Sequence, residues 1–149
     1  MVKQVQIRRG TTVENDMYTG AQGELTMDTE KKELRLHDGT TQGGHMIDTV
    51  VAWQAPTAEN NYTWYRKYAS GWVEQGGRFS GYDVTITLPV VMSDTNYNIQ
   101  STGTDTVGGG GYQYTFYRSQ TITGFKIVSA YAGNWYNNSG YWQVSGIAA

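Results

Sequence analysis

The sequence predicts an all-β protein, and three observations support this prediction. Nineteen Gly and twelve Tyr stand beside five Trp and only two Pro, a composition typical of β-rich proteins with many turns. Apolar residues alternate with polar ones in many short runs, which is the period of half-buried strands. Only one segment, residues 13–17, has the signals of a helix start, because Thr11 and Thr12 precede it and Glu14 lies in its first turn.

The first strands are predicted within residues 6–44, where glycines separate short runs of β-forming residues. Leu25–Asp28 and residues 33–37 form a hairpin across residues 29–32. The hairpin has one thin apolar face, and a unit of about 45 residues without a disulfide is usually too small for a core of its own. The chain has no Cys. This segment must therefore pack on the rest of its own chain or on further copies of itself, and the second alternative is favoured.

The same segment carries a family resemblance. Its blocks are Ile7-Arg8-Arg9-Gly10-Thr11-Thr12, Tyr18-Thr19-Gly20-Ala21, Gly23-Glu24-Leu25-Thr26-Met27-Asp28-Thr29 and Leu34-x-Leu36-His37-Asp38-Gly39-Thr40-Thr41-x-Gly43-Gly44. Together they resemble the N-terminal module of phage major tropism determinants, which recurs in many phage tail fibres. The resemblance implies that residues 1–46 form a trimerisation module, a β-prism made by three intertwined chains.

Residues 47–61 are interpreted as a neck between two domains. Met46, Val50 and Trp53 have helical spacing, whereas the β-branched run around Val50 favours a strand. Pro56 ends either element. Both alternatives stay open on the sequence, and residues 55–61 are the expected hinge.

A change of composition marks a second domain over residues 62–149, where charged residues become fewer and aromatic residues more frequent. Residues 65–68 and 72–75 flank a short hairpin loop, and residues 84–88 alternate before Pro89 ends that strand. The other period-two pairs are Tyr97/Ile99, Tyr114/Phe116, Phe125/Ile127 and Trp142/Val144. Roughly six or seven strands with such spacing indicate a small antiparallel β-sandwich.

A second resemblance covers this C-terminal half. It is carried by Trp64-Tyr65-Arg66-Lys67-Tyr68-x-x-Gly71-Trp72-Val73-Glu74-Gln75-Gly76-Gly77, by Thr123-Gly124-Phe125 and by Trp142-x-Val144-Ser145-Gly146-Ile147-Ala148. These blocks are similar to the C-terminal tip domain of phage and prophage tail fibres, which resembles the knob of a trimeric fibre and carries the host-recognition surface. The resemblance implies a homotrimer that joins other virion tail components and binds a bacterial surface glycan or outer-membrane protein.

Charge and hydropathy argue against other classes of protein. The net charge is −2 and no Lys/Arg cluster exceeds two adjacent residues, so a nucleic-acid partner is poorly supported. No apolar run approaches the roughly 20 residues that span a bilayer, and the first residues lack the core of a signal peptide. We therefore expect a protein made in the host cytoplasm that becomes part of the virion without inserting into a membrane.

Catalytic and metal-binding patterns are weak. Both histidines, His37 and His45, lie in the first module, so the second domain has no His for a Ser/His/Asp triad. Copies of one His could meet on a threefold axis as a metal site, but a solvated His is the favoured interpretation. A glycosidase needs two carboxyl groups about 5–9.5 Å apart. The acidic residues of the second domain each stand alone: Glu74, Asp83, Asp94 and Asp105. We expect neither an enzyme nor a bound cofactor or metal.

Aromatic clustering near the C-terminus is the strongest functional signal. The stretch from Asn134 to Tyr141 is polar and aromatic, without apolar periodicity. Flat Tyr and Trp faces combined with Asn side chains suit both sugar rings and protein surfaces. We therefore predict a receptor-binding site formed by Trp135, Tyr136, Asn134, Asn137, Asn138 and Tyr112.

Two alternatives remain open. In a structural virion connector, Trp135 and Tyr136 would pack on the sandwich or between subunits, whereas a receptor-binding protein would expose Trp135. A polysaccharide depolymerase is the second alternative. For Trp64, Trp72 and Trp142, which alternate with polar residues, packing in the core or between subunits is favoured.

Overall fold

The computed structural model describes residues 7–104 and 113–149, and the chain divides into two compact units, Met1–Val50 and Val51–Ala149. The described residues form the following strands: β1 (Arg8–Gly10), β2 (Leu25–Asp28), β3 (Glu33–Leu36), β4 (His45–Ile47), β5 (Val50–Gln54), β6 (Trp64–Tyr68), β7 (Trp72–Gly81), β8 (Asp83–Thr87), β9 (Asn98–Thr104), β10 (Gln113–Thr121), β11 (Gly124–Tyr131), β12 (Asn134–Trp135) and β13 (Asn138–Ile147). The one helix among them is α1 (Thr12–Met17). With 57% of the described residues in strands, the prediction of a nearly all-β protein is confirmed.

A four-stranded sheet in the order β1-β2-β3-β4 forms the N-terminal unit. The predicted hairpin is confirmed, because β2 and β3 are antiparallel with Leu25 opposite Leu36. The predicted helix start is confirmed as well. The Thr11 hydroxyl accepts the backbone N–H of Glu14, and the Glu14 carboxylate accepts the backbone N–H of Thr11 at 2.7 Å. This reciprocal capping box satisfies two N–H groups that the helix itself leaves unpaired.

One face of this sheet buries a polar network. Asp28 is fully buried, and its Oδ2 accepts a hydrogen bond from Nη2 of Arg35 at 3.2 Å. Arg35 also donates from Nη1 to Oδ1 of Asp16 at 2.6 Å. Burial raises the pKa of Asp28, but hydrogen bonds from the Lys31 N–H and the Thr12 hydroxyl, with further donors and the Arg35 charge, bring it below its ordinary value.

The opposite face of the same sheet is apolar and uncovered. Leu25, Leu36 and Ile47 are 37%, 43% and 39% exposed, and Met27 and Leu34 between them are half-buried. Every buried apolar side chain among the described residues belongs to the C-terminal unit instead. Residues 7–50, the described part of the N-terminal unit, therefore form no apolar core of their own within one chain, which is the deficit that the sequence predicts.

Two sheets build the C-terminal unit. One has the order β5-β6-β7-β13-β9, and the other has the order β10-β11-β12 with β8 also paired to β11. Buried apolar side chains from both sheets form one cluster: Val73, Phe79, Ile86, Leu88, Met92, Tyr97, Ile99, Phe125, Ile127, Trp142 and Val144. The rings of Phe125 and Trp142 meet edge to face at 6.0 Å and join the two sheets. A shared core of this kind is what a β-sandwich requires.

The segment around residue 50 is extended. Of the two alternatives left open by the sequence, the strand is found, because β4 and β5 cover residues 45–47 and 50–54 and β5 forms an edge of the five-stranded sheet. The division into trimerisation module, neck and tip remains a prediction. The three tryptophans for which packing is predicted differ in burial. Trp142 is 4% exposed in the core, whereas Trp72 is 41% exposed and Trp64 is half-buried.

Candidate functional site

A tight hairpin between β11 and β12 presents the aromatic stretch. Its two turn residues, Ala132 and Gly133, have φ values of 47° and 82°. A two-residue type I′ turn requires positive φ at both positions, and Gly133 supplies one of them without strain. The turn pairs Trp135 with Ala130 of β11. Residues 134–141 have no apolar periodicity, which is typical of a loop. Trp135 instead lies on the short strand β12, so the sheet defines its position.

The neighbours of Trp135 across the sheet extend the aromatic surface. Tyr114 and Trp135 both pair with Ala130, and Phe116 pairs with Val128. Paired residues point to the same face of a sheet, so these side chains lie together. Ala130 and Val128 are each 1% exposed, whereas Tyr114, Phe116 and Trp135 are 47%, 39% and 62% exposed. We call Trp135, Tyr114 and Phe116 the aromatic patch.

Three of the other predicted site residues are neighbours of Trp135 in the chain. Asn134 and Asn137 are exposed on either side of Trp135 in the chain. Tyr136 is half-buried, and its ring is tilted against that of Tyr131 with the centroids 5.9 Å apart. Tyr112 lies outside the described residues. Asn134 pairs with Tyr131, and the Tyr136 ring contacts Tyr131, whereas Trp135 pairs with Ala130. Because successive residues of a strand point to opposite faces, Asn134 and Tyr136 lie on the face opposite Trp135.

Asn138 requires a correction. Its side chain is 2% exposed, and its Oδ1 accepts the backbone N–H of Ser139 at 2.8 Å. The amide packs against Gly103, where a Cβ would collide with it. Asn138 therefore cannot touch a receptor directly. Asn137 and Asn138 look equivalent in a polar run, and only the start of β13 at Asn138 decides which of them turns inward.

The sequence predicts the strand that contains Tyr114 and Phe116 but not their place in the aromatic patch. Their alternation with polar residues is equally typical of side chains that pack in a core. Tyr117 lies on the other face of β10 and its ring contacts Phe125 edge to face at 6.4 Å. With aromatic residues on both faces, period-two alternation does not tell which face meets the core.

A charged group borders the aromatic patch. Asp83, on β8, pairs with Val128 of β11. Its Oδ2 accepts hydrogen bonds from Arg118 at 2.9 Å and from Lys126 at 3.3 Å. Burial raises the pKa of Asp83, but the hydrogen bonds and charges of the two cations together bring it below its ordinary value. Asp83 is therefore ionised at neutral pH, and two cations share its one charge.

The acidic residues weighed as catalytic candidates have separate roles. Glu74 accepts a hydrogen bond from the Tyr68 hydroxyl at 3.4 Å, and Asp94 accepts the backbone N–H of Asn96 at 2.6 Å. Asp83 is held by its two cations, and Asp105 lies outside the described residues. Glu74, Asp83 and Asp94 thus each form a hydrogen bond or ion pair with a structural role.

Both histidines have polar partners within the N-terminal unit. His37 is buried, its Nδ1 accepts the N–H of Gly20 at 3.1 Å, and its Nε2 lies 3.0 Å from the Thr26 hydroxyl. His45 is exposed and its Nε2 lies 3.0 Å from Oδ2 of Asp38. Within residues 7–104 and 113–149, no three potential metal ligands gather, and no helix has the length and apolar character to cross a membrane.

Comparison with known proteins agrees with this architecture. Residues 5–41 match the family described as major tropism determinant N-terminal domain. A curated relative from Bordetella phage BPP-1, named tail fiber receptor-binding protein, is 34% identical over 108 residues. Both matches confirm the predicted similarity to phage tail-fibre proteins. More particularly, its first module is related to the N-terminal domain of major tropism determinants.

The similarities are partial. The match to the Bordetella phage protein covers 64% of this chain and 28% of that relative. Among solved structures, the R2 pyocin fibre of P. aeruginosa has a TM-score of 0.48 and 18% identity, covering 66% of this chain and 26% of that chain. A major tropism determinant variant, U1, has a TM-score of 0.28 and 30% identity, covering 42% and 20% of the two chains. These low scores establish no shared fold for the whole chain.

Proposed function

We propose that this protein attaches a phage to a bacterial surface glycan or outer-membrane protein. The aromatic patch forms the receptor-binding surface, with the exposed Asn134 and Asn137 at the edge of the same hairpin and Tyr136 behind it. The observation that carries the proposal is the indole of Trp135, which is 62% exposed on a strand whose position the sheet defines. In a structural connector, this side chain would be expected to pack on the sandwich or between subunits.

The chemistry of the patch suits a receptor. Aromatic rings combine a large apolar surface with few rotatable bonds, so they gain contact area at a low cost in conformational entropy. The rings of Tyr114 and Phe116 stack with their centroids 6.1 Å apart, which makes this part of the surface rigid. The amides of Asn134 and Asn137 add hydrogen-bonding groups at the edge.

The connections between strands also favour this end of the C-terminal unit. Thr104, the last residue of β9, pairs with Ser139, and Gln113, the first residue of β10, pairs with Tyr131. Thr104 and Gln113 therefore lie at the same end of the sheets as the β11–β12 turn. The end of a rigid β-scaffold is a common location for recognition sites.

We further propose that the protein is a homotrimer held by its N-terminal unit, as a β-prism over residues 1–46 followed by a neck over 47–61 and a tip over 62–149. The exposed apolar face of the β1–β4 sheet supports this assembly. Leu25, Leu36 and Ile47 are all more than a third exposed in one chain. Covering them with the equivalent faces of other copies would supply the core that a single N-terminal unit lacks.

A trimer has a direct consequence for attachment. Three equivalent sites on one tip, and several fibres on one particle, raise the overall strength of binding well above that of a single site without any new contact. The protein would act in the virion as an adhesin without catalysis. The separate partners of Glu74, Asp83 and Asp94 weigh against a depolymerase, and the exposure of Trp135 weighs against a connector.

Replacing Trp135 with alanine is expected to reduce binding to host cells at least tenfold while the fold is kept. An exposed side chain contributes little to stability, and such substitutions usually change it by no more than about 0.5 kcal/mol. Flow cytometry of fluorescently labelled protein on a panel of bacterial strains measures the effect. Trp72→Ala is the matched control. Trp72 is also exposed, but it is the first residue of β7 and lies at the end of that strand away from Asn138 and the aromatic hairpin. Undiminished binding by the Trp135 variant would place the receptor site elsewhere.

Replacing Leu36 with lysine is expected to convert the trimer to single chains. The charge would lie on the apolar face that the assembly covers, and burying an unpaired charge is strongly unfavourable. Sedimentation velocity at micromolar concentration measures the mass. Ile122→Lys, at an exposed turn of the C-terminal unit, should leave the trimer intact. A wild-type protein that sediments at single-chain mass would disprove the proposed assembly.

A further inference from the structure

The outer face of the five-stranded sheet carries a cleft that the aromatic patch does not include. Its volume is about 350 Å³, which is within the size of small-ligand sites. Aromatic rings and side-chain amides line it, chiefly Tyr62, Trp64, Tyr141, Gln100 and Gln143. All of these residues belong to the C-terminal unit, and the patch lies on the other sheet of that unit.

The first row of the cleft is a flat ring followed by two amides. Trp64 pairs with Gly76, Gly76 pairs with Gln143, and Gln143 pairs with Gln100. Because Gly76 has no side chain, the indole of Trp64 lies across it: a Cβ at this position would be 2.7 Å from Nε1 of Trp64. The glycine therefore lets Trp64 form part of the floor next to the two amides.

A cation lies beside the cleft, between two of the rings that line it. Arg78 pairs with Tyr141 on the neighbouring strand. Its guanidinium carbon is 5.2 Å from the ring centroid of Tyr62 and 5.6 Å from that of Tyr141. In the part of the chain that the structure describes, Arg78 forms no ion pair with a carboxylate. The rings orient the guanidinium through cation–π contacts while its N–H groups remain available.

Tyr62 is held at the cleft by an unusual backbone. Asn61 and Tyr62 have φ values of 54° and 56°, a left-handed conformation that is uncommon for a bulky residue. The Tyr62 N–H donates to the carbonyl of Thr57 at 2.7 Å, and the Asn61 amide donates to the carbonyl of Arg78 at 3.1 Å. Disfavoured conformations that the surroundings enforce are concentrated at ligand sites.

We propose that this cleft binds an acidic saccharide. A sugar ring would stack its C–H face on Trp64 and Tyr141, and the amides of Gln100 and Gln143 would hydrogen-bond its hydroxyl groups. Arg78 would pair with a carboxylate or phosphate on the sugar, since a guanidinium forms two parallel hydrogen bonds to either group. The proposal rests on the receptor-binding function proposed above, and it adds a second contact that restricts the receptor to anionic glycans.

An adjoining cleft gives room for a second sugar unit. It has a volume of about 330 Å³ and shares Pro56 and Trp64 with the first. Trp53, 68% exposed, and the guanidinium of Arg66 complete it. Trp64 therefore lies between two neighbouring spaces with aromatic walls, and a cation belongs to each: Arg78 borders the first and Arg66 lines the second. This arrangement fits a charged oligosaccharide of at least two units better than a single sugar.

The test measures binding to a microarray of bacterial glycans in three groups: glycans with carboxylates, glycans with phosphates and neutral glycans. The wild-type protein is expected to bind acidic glycans, and Arg78→Gln and Tyr141→Ala are each expected to weaken this binding at least tenfold. Both side chains are exposed, so unchanged circular dichroism and thermal unfolding should accompany the loss. Arg9→Gln is the control, because it removes the same charge from an exposed position in the N-terminal unit. The carboxylate and phosphate arms show which anion is recognised.

Other outcomes separate this proposal from the receptor-binding function. Binding only to neutral glycans, binding to no glycan, or acidic binding that survives both cleft substitutions would disprove the acidic-saccharide site. If the wild-type protein still attached to cells and lost attachment with Trp135→Ala, the proposed function would stand without it. If the wild-type protein bound no strain of the panel, the receptor-binding function itself would fail.

Discussion

Replacing Asp28 with asparagine is expected to lower the free energy of unfolding of the N-terminal unit by about 3–5 kcal/mol, the usual effect of breaking a buried ion pair. The Asp28 carboxylate is fully buried, and the Arg35 side chain is only 9% exposed. Asparagine has nearly the same shape, so packing is kept. Its amide would place N–H groups either toward Arg35 or toward the backbone N–H groups of Glu30 and Lys31, which now donate to Oδ1 at 3.0 Å.

Asp16→Asn is the matched control. Asp16 pairs with the same guanidinium at 2.6 Å, but its side chain is 56% exposed and solvent replaces what the substitution removes. Exposed pairs contribute about 0–1 kcal/mol, so this variant should unfold nearly as the wild type does. Hydrogen exchange of the β2 and β3 amides at one protein concentration measures both effects. Equal changes in the two variants would show that burial of Asp28 is not the cause.

The pH dependence provides an independent check of the same pair. The pKa of Asp28 is lower in the folded unit than in the unfolded chain, where a carboxyl group titrates near 3.9. The stabilisation is therefore fully present above about pH 4 and is lost as the pH falls through the lower, folded-state value. The wild-type N-terminal unit should lose stability in acid more steeply than the Asp28→Asn variant.

Replacing Trp142 with alanine is expected to lower the free energy of unfolding of the C-terminal unit by about 3–5 kcal/mol, as for other large aromatic residues of a core. Its side chain is 4% exposed and meets Phe125 across the two sheets. The indole lies against Gly77, where a Cβ would be 3.0 Å from Nε1. Truncation would leave a cavity between the sheets, because close-packed neighbours cannot fully collapse into it.

Trp72→Ala is the control for this experiment as well. Trp72 is 41% exposed on the same sheet, so its loss should change stability by no more than about 0.5 kcal/mol. Urea unfolding followed by circular dichroism, at a fixed protein concentration, compares the two variants. A similar loss from both would mean that Trp72 is buried in the assembled protein, which would favour the intersubunit packing that the sequence left open.

Local signals in the sequence were sufficient for the elements. Thr11 and Glu14 predicted the helix start because a capping box involves only neighbouring residues. The β2–β3 hairpin and the hairpin between β6 and β7 followed from alternation and turn residues, and both are present. In the same way, the stretch around Trp135 was recognised as a surface by its composition.

Other parts of the site depend on contacts between distant residues. The role of Tyr114 beside Trp135 arises from the register of β10 and β12 on β11, which no local pattern contains. The inward turn of Asn138 depends on where β13 begins. The cleft depends on Gly76, which carries no signal of its own until Trp64 is placed across from it.

The sequence by itself determined that the chain is nearly all β, that it begins with a tail-fibre module and that this module cannot form an apolar core alone. Only the tertiary structure decided which faces are covered. Alternation shows that a strand has two unlike faces, but the partner that covers each face comes from elsewhere in the chain or from another molecule. In the N-terminal sheet the polar face is the buried one, because Asp28 and Arg35 neutralise each other there and leave Leu25 and Leu36 outside.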